Sequence, residues 1–136
     1  MNPGNLFRTI ALVAVLLTLT TGGAALAGDD PSIEGDLRTG IQAAMNSYVE
    51  SQTIDDVVRL YDPVEGRLLR LKFKALHSGI VRKGDFYVSC ADFVDQEGRE
   101  IDVDFLVLPD GATLRATQGV VHAVDGKKRA YHLESK

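Results

Sequence analysis

Residues 86–94, Phe86-Tyr87-Val88-Ser89-Cys90-Ala91-Asp92-Phe93-Val94, and residues 101–107, Ile101-Asp102-Val103-Asp104-Phe105-Leu106-Val107, flank Asp95-Gln96-Glu97-Gly98. β-Branched and aromatic side chains recurring every second position, interrupted by an Asp/Gly-rich tetrapeptide, are the pattern of an antiparallel hairpin. A four-residue loop at 95–98 pairs Val94 with Arg99. It predicts that Phe86, Val88 and Cys90 face Val107, Phe105 and Val103, sharing one apolar side with Ile101. The other side then carries Tyr87, Ser89, Ala91, Asp102, Asp104 and Leu106, with Ser89 opposite Asp104. Slipping the second strand by one residue would bury Asp102 and Asp104, a desolvation cost that specifies its face.

Working outward, the same period of two holds from Val57 to the C-terminus, punctuated at 62–66, 95–98, 109–111 and 125–126 by Asp, Pro and Gly. These signals divide the chain into strands near 57–61, 67–76, 85–94, 99–108, 112–124 and 127–133, with His77 to Gly84 as the one longer connection. Leu69, Leu71, Phe73 and Ala75 mark a buried face, and Arg70, Lys72 and Lys74 an outer one. A two-residue turn at Asp125-Gly126 sets His122 opposite Arg129 and His132 opposite Gly119. Gly119 predicts a bulge or bend within its long strand.

Upstream, Ile33, Leu37, Ile41, Ala44, Met45 and Tyr48 recur at spacings of three and four, with Glu34, Arg38, Gln42 and Asn46 opposite. That is an amphipathic helix, for which Asp30 supplies an N-cap and Pro31 a first position. Gly40 allows a close approach to the sheet. The predicted fold is therefore α+β: an N-terminal helix packed on a curved antiparallel β-meander, in a single domain over residues 28–136. A helix followed by a wrapping meander resembles the cystatin-like class of folds, which includes secreted inhibitors and PepSY-type modules. The resemblance is one of architecture and does not transfer function. The inhibitory Q-x-V-x-G pattern of cystatins is not matched by Gln118-Gly119-Val120-Val121-His122, which lacks the final Gly, so no inhibitor residues are carried over.

Residues 1–27 read as a cleaved signal peptide: Arg8, an apolar run from Ile10, and small residues ending Ala25-Leu26-Ala27. The expected destination is the periplasm or the medium, with no stable membrane anchor after cleavage. This segment holds one of the 15 basic residues and none of the 19 acidic ones, so the remainder carries −5. An acidic domain argues against nucleic acid as partner. Cys90, the one cysteine, can form no intramolecular disulfide and is read as a buried apolar side chain.

Neither a nucleophile elbow, a P-loop, a dinucleotide fingerprint nor a metal-site histidine spacing occurs in the chain. No catalytic residue, cofactor or metal is assigned on these grounds. The candidate ligand or cation site is Asp102 and Asp104, about 7 Å apart on one strand face, together with Ser89, Asp92, His77 and His122. The expected function is a non-enzymatic binding or interaction module with a protein or small-molecule partner in the exported compartment. The alternatives are a ligand- or metal-dependent enzyme holding Asp92 with His77 or His122 in a pocket between helix and sheet, and a protease-inhibitor-like protein.

Overall fold

The computed structural model describes residues 28–131 and 133, so the expected signal segment 1–27 and His132 lie outside the described residues. One helix, α1 (Gly35–Gln52), packs on a seven-stranded antiparallel sheet whose spatial order follows the chain: β1 (Thr53–Ile54), β2 (Val57–Asp62), β3 (Arg67–Lys83), β4 (Phe86–Val94), β5 (Glu100–Asp110), β6 (Thr113–Val124) and β7 (Lys127–Lys128). The α+β meander expected from the sequence is thus observed. Among the described residues no helix is long and apolar enough to cross a membrane.

The helix buries Ile41, Ala44, Met45 and Val49 against the sheet, most extensively against β6. Its start differs from expectation. Asp30 instead caps a separate turn, accepting from the Ser32 N–H and hydroxyl, and Gly35 at φ +55° marks where the helix begins. The left-handed conformation at Gly35 breaks continuity with Pro31, a geometry that glycine adopts at little steric cost. Gly40 does face the sheet closely: a Cβ there would sit 3.1 Å from Leu114.

The register of the β4–β5 hairpin is corrected by one residue. Val94 pairs with Glu100, because Asp95 extends the loop to Arg99 by accepting from the Glu97 and Arg99 N–H groups through its side chain. β5 keeps the predicted faces, with Ile101, Val103, Phe105 and Val107 toward the helix. β4 is reversed: Ala91 and Phe93 join the core, and Cys90 and Asp92 face outward opposite Asp104 and Asp102. Ser89 is accordingly opposite Phe105, not Asp104.

β3 also departs from expectation, since the predicted connection from His77 to Gly84 is mostly strand. Ile80 to Lys83 pair with Ser89 to Phe86, while His77, Ser78 and Gly79 bulge opposite Cys90. A second irregularity at Lys74 disturbs the alternation, leaving Phe73 41% exposed and Ala75 exposed rather than buried. In β6 the bulges fall at Thr117 and His122. Gly119 lies between them in regular pairing, serving close packing: a Cβ would come within 3.3 Å of Val103 and 3.6 Å of Leu60. Leu60 belongs to β2, so the sheet curls until β2 meets β6. The Asp125-Gly126 turn pairs Val124 with Lys127 as predicted, and the Arg129 N–H donates to the His122 carbonyl.

Candidate metal centre

The bulge in β3 assembles the most chemically loaded cluster of the described residues. It is held from both sides: the Ser89 hydroxyl donates to the Gly79 carbonyl, the Arg38 guanidinium to the Ser78 carbonyl, and the Ile80 N–H to the Asp29 carboxylate. So tethered, the bulge lays His77 over Cys90. The His77 Nδ1 lies 2.8 Å from the Cys90 Sγ, and its Nε2 lies 2.9 Å from an Asp92 carboxylate oxygen. Asp102, directly opposite Asp92 on β5, completes the group. Donor atoms of His77, Cys90 and Asp102 all fall within 4.8 Å of one another.

Each residue has a distinct setting. The Cys90 thiol is fully buried, His77 and Asp92 are partly exposed, and a hollow of about 490 Å³ opens beside them, lined by His77, Asp92, Glu100, Asp102, Asp125 and Lys128. Lys74 reaches Glu100 at 2.6 Å, and that hydrogen bond raises the lysine pKa. Thiolate, imidazole and carboxylate are the ligand types that zinc and its neighbours accept. Tetrahedral bonds of about 2.0–2.3 Å place ligand atoms roughly 3.5 Å apart, which small side-chain rotations here would reach. Asp92 would then hold the far ring nitrogen of His77, as second carboxylates commonly orient metal-bound histidine.

The same three groups, Cys90, His77 and Asp92, stand in the order of nucleophile, base and orienting acid. The buried sulfur opposes that use, because a substrate carbonyl has no approach to it. Metal ligation needs only an ion to reach the thiolate.

Asp104, directly opposite Cys90 on β5, is paired with His122. The imidazole Nδ1 lies 2.6 Å from the Asp104 carboxylate, at 2% and 0% exposure for His122 and Asp104. Asp104 is thus buried rather than solvated, because the bulge at His122 turns the imidazole onto it. Ser89 supports the bulge from the helix side. Of the six expected site residues, His77, Asp92 and Asp102 line one hollow. Cys90 was missed as a ligand, since the shorter loop turned it into the helix-facing core. A loop ending at Arg99 would have placed Cys90, Asp92 and Asp102 on one face, but no sequence pattern announces the bulge that brings His77.

A charged clamp joins the hairpin turns at the other end of β3. Glu65 pairs with Arg67 and Arg99 at 2.7 Å each, Asp95 with Arg99 at 2.7 Å, Glu97 with Arg67 at 2.8 Å, and buried Asp62 with Arg129 at 2.6 Å. Hydrogen bonds from Arg99 and then Arg67 hold the Glu65 carboxyl down at about 2. Burial of Asp95 favours its neutral form, but the Arg99 N–H and guanidinium outweigh it and lower that pKa as well. With every acid matched to an arginine, the clamp is built for stability.

The groove between α1 and the β5–β6 hairpin is lined by Leu37, Gly40, Tyr48, Tyr87 and Leu114 among others, and includes neither Asp92, His77 nor His122. No protein-family model matches the chain, and no curated protein or solved structure matches it either.

Proposed function

We propose that the chain is an exported, non-enzymatic binding module whose ligand is a zinc-class divalent ion. His77, Cys90 and Asp102 are its ligands, and Asp92 positions His77. The observation that carries this reading is the imidazole of His77 caught between the Cys90 sulfur at 2.8 Å and the Asp92 carboxylate at 2.9 Å. A fourth coordination position would open toward the acidic hollow, through which a hydrated cation could arrive. Export rests on the signal-like residues 1–27 and fits a module that meets metal outside the cytoplasm. The cystatin-like resemblance supports only the helix-on-sheet shape.

Titration with cobalt(II), a spectroscopic substitute for zinc, tests the proposal. Tetrahedral d–d bands and a near-ultraviolet thiolate-to-cobalt charge-transfer band should grow to one equivalent. Zinc competition should show binding lost in His77→Gln and weakened about 10–100-fold in Asp92→Asn. Absence of the thiolate band, or equal zinc affinity in His77→Gln, would overturn the assignment.

A further inference from the structure

The outer face of the β2–β3 hairpin carries an arrangement unrelated to the metal cluster. At the turn, Val64 is 58% exposed; behind it Tyr61 and Leu68, directly opposite each other, are 60% and 58% exposed. Two residues further along the same face, Arg59 stands directly opposite Arg70, and Lys72 follows. Arg59, Arg70 and Lys72 take part in none of the ion pairs among the described residues, although acidic side chains hold most other arginines. Like charges directly opposed across strands are destabilising. An acidic chain nonetheless sets two arginines side by side next to an exposed aromatic.

We infer that this face docks on an anionic lipid surface, with Val64, Tyr61 and Leu68 entering the interface and Arg59, Arg70 and Lys72 meeting headgroup phosphates. The order from the turn inward, apolar then aromatic then cationic, follows the order of acyl boundary, interface and phosphate in a leaflet. Strand rise puts the arginine pair about 7 Å behind Tyr61 and Leu68, within the roughly 5–10 Å depth of interfacial binding. Arginine forks hydrogen-bond phosphate oxygens in pairs, and a phosphate between Arg59 and Arg70 would relieve their repulsion. An acidic protein would answer the cations but leave Tyr61, Leu68 and Val64 without a role.

Flotation of the full chain with vesicles tests this, comparing phosphatidylglycerol/phosphatidylcholine mixtures with phosphatidylcholine alone. Preference for the anionic vesicles is expected, falling about fivefold for each arginine neutralised in Arg59→Gln and Arg70→Gln. Arg115→Gln, which removes a cation elsewhere, should leave the preference unchanged. Any partitioning by residues 1–27 is common to all these chains and cancels in the comparison. Should the double variant fail to fold, the natural chain must still lose its preference between about 0.05 and 0.5 M salt, where screening shortens the Debye length. Equal binding to both vesicle types, or a preference untouched by salt, would overturn the inference. So would retention on polyglutamate without anionic-vesicle preference, which would assign the face to an acidic protein.

Discussion

Asp104 and Phe105 are neighbours on β5 that point to opposite faces, and both are buried, at 0% and 2% exposure. Phe105 packs edge-on against Tyr48 at 5.6 Å and near Phe93 at 6.3 Å. Phe105→Ala should therefore cost about 3–5 kcal/mol in urea unfolding, through a core cavity. Asp104→Ala should cost at least about 2 kcal/mol, because it removes the partner of a buried imidazole. A change under about 0.5 kcal/mol for Asp104→Ala would contradict the buried pair. Alternation along β5 placed both residues on the correct faces from sequence. It described the face away from the helix as solvated, whereas the β6 bulge that folds His122 over Asp104 is a tertiary event.

In the β4–β5 hairpin one side chain sets the register. Asp95 accepts the Glu97 and Arg99 N–H groups at 2.9 Å each and the Arg99 guanidinium at 2.7 Å. Asp95→Ala should destabilise by about 1–3 kcal/mol in guanidinium unfolding, against under about 0.5 for Gln96→Ala on the exposed tip. Equal effects would show that the loop length is set elsewhere. Sequence made the hairpin, its turn and both strands legible, yet loop length could not be read from Asp95-Gln96-Glu97-Gly98. A difference of one residue there exchanges the two faces of β4. That exchange moved Cys90 from the expected core to the side where His77 reaches it. β3 was misread for a related reason: one extra residue at Lys74 resets the phase of alternation, and two more between His77 and Gly79 interrupt the pairing, so Ile80 to Lys83 resembled a connection.

Across the molecule, the clamp of Glu65, Arg67, Asp95, Glu97 and Arg99 ties the β2–β3 turn to the β4–β5 turn, and Arg129 binds the segment after β7 to Asp62. Glu65 has a folded pKa of about 2 against an ordinary 4.5. A depressed folded value means that the unfolded chain takes up the proton first. The contribution of Glu65 is therefore fully present above about pH 4.5 and is lost as pH falls toward 2. Melting temperature should decline across that window, and Glu65→Gln should flatten the decline; an unchanged slope would remove Glu65 from the clamp. The clamp unites residues more than 60 positions apart, as in Arg129 with Glu65 at 3.5 Å. Local patterning was enough for the helix-on-meander class, the strand order and the β5 faces, since period and turn chemistry act between near neighbours. Bringing His77 onto Cys90, burying Asp104 under His122 and closing the clamp required folding in three dimensions, because bulges, loop length and sheet curl depend on contacts that no short stretch contains.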